Sequence, residues 1–119
     1  MTFTQKQCEA FADILVLAMC IDGHFSLLEE DEIQKEIVKI GWDENLSPSI
    51  HISASMARAR EVAGSTDQVK IYLEELAPLF SDPAAALFVM KETLKVLDSD
   101  GTNADEGTFT LQLKAILKV

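Results

Sequence analysis

Two clusters of carboxylates are the residues best suited to chemistry in this chain. Asp22, Glu29, Glu30, Asp31 and Glu32 form the first; Asp98, Asp100, Asp105 and Glu106 form the second. Each joins an Asp-Gly pair, Asp22-Gly23 or Asp100-Gly101, to carboxylates at the start of the next predicted helix. Groups placed this way converge on one spot, and a hard divalent cation with oxygen ligands relieves their mutual repulsion. Calcium, magnesium and manganese all fit such a donor set. The candidate metal ligands are therefore Asp22, Glu29, Asp100, Asp105 and Glu106. The same residues also have an architectural use. A carboxylate at a helix N-terminus gains roughly 0.3–1 kcal/mol from the macrodipole and capping. Asp before Gly is ordinary turn chemistry.

Other motifs lead away from catalysis. Asp98-Ser99-Asp100-Gly101-Thr102 looks like the nucleophile motif of haloacid-dehalogenase phosphatases. That motif needs a parallel strand before it and a large α/β domain after it, and only residues 103–119 follow. The stretch is not a calcium-binding EF-hand loop either. Counted from Asp98, Asn103 stands where glycine is needed and Phe109 where the last carboxylate is needed. His24 and His51 are too far apart for a zinc-protease motif, and His24 beside Asp22 reads as a turn histidine. No P-loop, Gly-rich dinucleotide motif or Ser-His-Asp pattern is present. The few basic residues singled out, Arg58, Arg60 and Lys70, read as surface groups. The chain is expected not to be an enzyme and to need no catalytic residue.

The elements that must position these groups are all helices. Thr4-Gln5-Lys6-Gln7 is a capping box, and Cys8, Phe11, Ala12, Leu15, Ala18 and Met19 recur behind it at helical spacing. Gly23 stops that run. Ser26-Leu27-Leu28-Glu29 opens a second helix with the stripe Ile33, Ile37 and Ile40, ended by Gly41. Ser47-Pro48 starts a third, bearing Ile50, Ala54, Ala57 and Val62 before Gly64. Ser65-Thr66-Asp67-Gln68 caps a fourth with Val69, Tyr72, Leu73 and Leu76, and Pro78 bends or breaks its end. Asp82-Pro83 begins a fifth with Leu87, Phe88, Met90, Leu94 and Leu97. A sixth starts near Asn103 and carries Phe109, Leu113, Ile116 and Leu117. No alternating strand pattern or hairpin turn interrupts this series. The fold class read from these signals is all-α: a compact bundle of about six to seven helices, one domain over residues 1–119. Trp42 directly follows the helix-ending Gly41, where such a stop packs an apolar residue back on the last turn, against Ile37 or Val38.

Composition narrows the partners. The chain has 119 residues, 10 Lys+Arg against 20 Asp+Glu, and a formal net charge of −10. That field repels phosphate backbones and anionic lipid, so neither nucleic acid nor a membrane surface is expected as a partner. It favours cations or a basic patch on a protein partner. With 48% hydrophobic residues the chain is too apolar to be a disordered acidic tail. The longest apolar run, residues 14–21, falls far short of the ~20 residues needed to cross a bilayer. Leu17-Ala18-Met19-Cys20 imitates a lipoprotein cleavage box. Met19 is too large for that box, however, and Glu9 and Asp13 precede it where a basic segment belongs. Cys8 and Cys20 lie about 18 Å apart along one predicted helix, beyond the roughly 7 Å a disulfide allows. Two unpaired thiols fit a reducing, cytoplasmic location.

Aligning Asp22-Gly23 with Asp100-Gly101 exposes a weak internal repeat. Ile33 then falls on Leu111, Gln34 on Gln112, Ile37 on Ala115 and Val38 on Ile116. Each copy is an apolar helix, an Asp-Gly turn, an acidic helix start and a second apolar helix. A lone helix hairpin buries its apolar faces poorly, whereas two copies packed together, with the middle helices filling the gap, bury them well. The expected bundle thus has two pseudo-symmetric helix-hairpin repeats. This pattern resembles the TerB-like (tellurite-resistance) family. Asp22-Gly23-His24-Phe25-Ser26-Leu27-Leu28-Glu29 matches its motif well. Asp100-Gly101-Thr102-Asn103-Ala104-Asp105-Glu106-Gly107 departs from it: the expected Glu at Gly107 is displaced to Glu106, and Asn103 replaces an apolar residue. The resemblance implies a non-enzymatic, stress-associated domain with a divalent-cation site at the acidic turns. TerB-like domains also occur fused to co-chaperone and signalling domains, so a metal-free interaction or co-chaperone-type module is the alternative. Either reading expects a protein partner.

The cation reading has a direct consequence. Asp22→Asn or Asp100→Asn weakens divalent-cation binding and leaves the cation-free protein no less stable, because each change removes like-charge repulsion. The first copy binds more tightly than the second, since Glu29 is in register there and Gly107 has no side chain. Calorimetry with calcium, magnesium, manganese and zinc checks both statements. An absence of binding heat with all four would end the cation reading.

Overall fold

A computed structural model describes residues 2–23, 27–97 and 104–119, without the side chains of Asp22, Leu27, Ala104, Asp105 and Glu106. The described residues form six α-helices and no strand. They are α1 (Gln5–Asp22), α2 (Leu27–Ile40), α3 (Pro48–Val62), α4 (Thr66–Leu76), α5 (Pro83–Leu97) and α6 (Ala104–Leu117). A short 3-10 turn, Ala77–Phe80, links α4 to α5; Pro78 stands at its start rather than breaking α4 itself.

The helix boundaries follow local chemistry. Thr4 Oγ1 accepts from the Gln7 N–H while Gln7 Oε1 accepts from the Thr4 N–H, the reciprocal box read from the sequence. Ser47 and Ser65 cap α3 and α4 by accepting from the Ile50 and Gln68 N–H groups. The Asp82 carboxylate does the same for Ala85 at the start of α5. The expected box at Ser26 and the helix start at Asn103 lie outside the described residues. Gly23 ends α1 at φ +84° and gives its N–H to the Met19 and Cys20 carbonyls.

Gly41 is required twice over. Its φ of +130° is open only to glycine, and a Cβ there would strike the Phe3 carbonyl oxygen. Phe3 comes this close because its N–H donates to the Ile40 carbonyl at 2.6 Å. The N-terminal segment is thereby fastened to the end of α2, and the Phe3 ring enters a cluster with Phe11, Phe80 and Phe88. The next residue, Trp42, donates its backbone N–H to the Ile37 carbonyl, is 8% exposed, and bonds the Leu46 carbonyl through Nε1. This is the buried, helix-closing tryptophan expected after Gly41; Val38 itself faces outward.

The bundle is built around α1. Ten of its residues, including Cys8, Phe11, Ile14, Leu15, Val16 and Leu17, are buried around the whole circumference. It packs on α2, α3, α5, α6 and the 3-10 turn, and Ala10, Ala12 and Ala18 let neighbours approach closely. The α2 stripe Ile33, Ile37 and Ile40 is buried as expected, as are Phe109, Leu113 and Leu117 of α6. The face of α3 is different from that expected. Ile50 is 74% exposed and Ala54 and Ala57 point outward, while Ile52, Ser55, Ala59 and Val62 face inward. The observed set still recurs every three to four residues, rotated around the helix. Leu87 of α5 is likewise on the outer face, where Ala85, Ala86, Val89, Met90 and Thr93 replace it inside.

The hairpins α1–α2 and α5–α6 meet through their first helices, α1 on α5. Their second helices are placed unequally. α6 packs against α1, but among the described residues α2 makes no comparable packing on α5. That inequality leaves open ground between α2 and α5, with α1 beneath. Cys8 is buried and Cys20 half-buried, and both are free thiols. No described helix is long and apolar enough to cross a membrane.

Candidate functional site

The open ground between α2 and α5 is a groove of about 470 Å3. Leu15 and Met19 of α1 and Ile33 of α2 supply its base, with Val96 of α5 beside them. All of α1 that reaches the groove is apolar, since α1 carries no charge between Asp13 and Asp22. The walls are acidic. α2 contributes Glu29, Glu32 and Glu36, and α5 contributes Glu92 and Lys95. Positions 29, 32 and 36 share one face of a helix, so the three carboxylates form a row. Leu28 adds an apolar side chain at the mouth that is 70% exposed.

The one cation on these walls is already engaged. Lys95 Nζ lies 2.9 Å from Glu92 Oε1, one turn back on α5. The bond and the charge of Glu92 raise the Lys95 ammonium above its ordinary range; Glu36, from the opposite wall, adds to the rise. Charges on the two walls thus act on each other across the groove, and the carboxylates outnumber the ammonium.

A second polar constellation lies on another side of α1. Glu9 and Asp13, one turn apart, are the charges that interrupt its apolar surface. His51 of α3 answers both. Its Nε2 is 3.0 Å from Asp13 Oδ1 and 3.2 Å from the Glu9 carbonyl oxygen. Both neighbours are acceptors, so Nε2 carries a proton and shares it. Protonation therefore occurs at Nδ1, which lies 3.9 Å from Glu9 Oε1. The hydrogen bond to Asp13 is the main cause that raises the His51 pKa above 6.5; burial opposes it, and the charges of Asp13 and Glu9 add to the rise. The Trp42 ring packs against the imidazole with centroids 5.7 Å apart. The arrangement fixes the orientation of the ring and favours its protonated form.

Tyr72 of α4 extends this seam. Burial, then the Asp13 charge, pushes its hydroxyl up to about 12. Ser55 Oγ, nearby, favours the ionised phenol and opposes that rise, and among the described residues it has no hydrogen-bond partner. Arg58 lies over the Tyr72 ring at 5.0 Å and reaches Glu75 at 3.4 Å. Arg58, read from the sequence as a plain surface group, therefore covers the ring of a buried tyrosine. Sequence reasoning missed the His51 seam as well. Its signal was present: Glu9 and Asp13 at one-turn spacing on an otherwise apolar helix require a cation opposite them.

The sequence-predicted cation ligands are placed as follows. Glu29 is on the first turn of α2, half-buried on the groove wall. Asp22 is the last residue of α1, and Asp105 and Glu106 are in the first turn of α6; their side chains lie outside the described residues. Asp100 lies outside the described residues altogether, as do Asp98 and His24. Among the described residues no three His, Cys, Asp or Glu side chains gather in a form that could hold a metal ion. Compared with family models, curated proteins and solved structures, the chain finds no match.

The His51 seam makes stability depend on pH with a definite sign. A histidine whose folded pKa is raised stabilises fully below the unfolded value near 6.5, and the contribution is lost as pH rises through the folded value. His51→Gln is therefore expected to cost about 1 kcal/mol near pH 6, given a charge-assisted bond at a partly exposed site. The cost shrinks as pH rises and the wild-type ring loses its proton. Urea unfolding of both proteins between about pH 6 and about pH 8 measures the difference. A cost that grew with pH would contradict the assignment.

Proposed function

We propose that this chain is a non-catalytic interaction module whose docking surface is the groove between α2 and α5. One observation carries this reading: an open trough with an apolar base and acidic walls, at the place where the two hairpins fail to close on each other. A bundle that existed only to be stable would gain from bringing α2 onto α5 and burying Leu28 and the half-buried Val96 more completely. Instead α2 holds three glutamates in a row at that edge, which keeps the groove wet and open in the free protein. Exposed Leu28 offers a contact that a partner's apolar side chain can cover.

Within this reading, the resemblance to the TerB-like family supplies the setting, a stress-associated protein with a protein partner. Its cation site would use Asp22 and Asp100 at the turns, with Glu29, Asp105 and Glu106 at the helix starts. Of these, Glu29 has a described side chain, and that side chain belongs to the groove wall. Support from geometry is therefore stronger for docking than for the cation.

Docking is tested with methyl-labelled protein and three helical peptides that share one apolar face and differ in charge: basic, neutral and acidic. At least one peptide should shift the methyl resonances of Leu15, Met19, Ile33 and Val96, with Kd near or below about 0.1 mM. Ala59 and Val62, on the α3 side of the core, should not move. If no peptide of any charge shifts the groove methyls, the docking reading is wrong.

A further inference from the structure

The walls of the groove say more about its occupant than its base does. We infer that the groove receives a basic amphipathic helix of a partner protein, with lysine or arginine on the border of its apolar stripe that faces α2. This inference rests on the docking reading above. Glu29 and Glu36 lie seven residues apart on α2 with Glu32 between them, a row about 10 Å long, or two helical turns. Glu92 faces that row from α5. A helix laid between α2 and α5 would complete the layer over α1 at ordinary bundle spacing of about 8–10 Å. Its apolar residues at i, i+3 or i+4 and i+7 would enter between the walls and cover Leu28 and Val96. The residues flanking that stripe would then meet the α2 glutamates on one side and the Glu92–Lys95 pair on the other.

Charge decides what those flanking residues must be. An acidic or phosphorylated helix would place like charges against the Glu32 and Glu36 carboxylates, in a molecule of net charge −10. A neutral helix would leave the carboxylates desolvated beside its rim. Lysine and arginine satisfy both demands, because their stems cover apolar surface such as Leu28 while their charged ends reach the glutamates. Lys95 does not supply this charge from within, because it is bonded to Glu92 on its own helix. A bare metal ion is not the better occupant: among the described residues the wall carboxylates do not gather as a metal-binding group.

The test compares the basic, neutral and acidic peptides with a scrambled basic peptide of the same composition, which has no apolar stripe. The proteins are wild type, the double variant Glu32→Gln/Glu36→Gln, and the control Glu61→Gln/Glu74→Gln, which removes the same charge from α3 and α4. Circular dichroism first verifies that each variant is helical. The basic peptide should bind at least about tenfold more tightly than the acidic one, and weaken as salt rises from about 20 to about 300 mM. Glu32→Gln/Glu36→Gln should weaken it about three- to tenfold and leave the neutral peptide unchanged, and the control should bind as wild type does. Groove-methyl shifts with a neutral or acidic peptide that binds as well as the basic one would overturn the inference and leave docking standing. Equal binding of the scrambled basic peptide, or equal losses in the two double variants, would also overturn it by showing diffuse attraction. No shift with any peptide would remove both.

Discussion

Burial of α1 on all sides is the constraint on which this bundle depends. A helix that is apolar around its circumference cannot rest on a surface; it must be enclosed. Fully burying one leucine, isoleucine or phenylalanine contributes roughly 1.5–3 kcal/mol, and α1 buries several. The helices α2, α3, α5 and α6 are arranged as its enclosure. α3 covers it most extensively, α5 and α6 cover further faces, and α2 covers the remainder through Ile33, Ile37 and Ile40. Where α1 does carry charge, at Glu9 and Asp13, the enclosing helix brings His51 to meet it. A buried carboxylate near such a core would be costly without that partner.

The groove is a consequence of the same constraint. The enclosure of α1 is complete where α6 packs on it and is shallower between α2 and α5. Leu15 and Met19 are almost fully covered, at 3% exposed each, so the base of the groove is covered by its own neighbours and needs no partner for stability. The walls are another matter. A row of glutamates on α2 lines one edge of the opening and faces the Glu92–Lys95 pair of α5. Stability and openness are thus assigned to different residues: the core to α1 and the inner stripes of its neighbours, the groove to charged positions that contribute little to the core.

Much of the fold was legible because it is written in local chemistry. Thr4 with Gln7, Ser47, Ser65 and Asp82 announce helix starts within three or four residues, and Gly23 and Gly41 announce stops; none of these depends on tertiary context. The inner face of α3 was not legible. Its run of Ala54, Ser55, Ala57 and Ala59 offers little hydrophobic contrast, so Ile50 attracted the stripe to the wrong side. What settled the phase was His51, which must face Glu9 and Asp13 and so fixes the rotation of α3 against α1. The groove was illegible for a different reason. It lies between α2 and α5, which are distant in sequence, and depends on packing that is absent rather than present. Glu29, singled out for a cation, is a wall residue whose row with Glu32 and Glu36 is visible in the spacing once its face is known.

The central claim is that α1 is the shared core of the whole molecule, from which both the His51 seam and the groove follow. Native-state amide hydrogen exchange with increasing denaturant tests it most directly. The amides of Phe11 to Ala18 should exchange only through global unfolding, with an opening free energy equal to that of the whole protein and a full denaturant slope. The exposed side of α2 should exchange earlier, with a smaller slope. Exchange of the α1 amides by local opening, below the global value and below those of α3 and α5, would contradict the account.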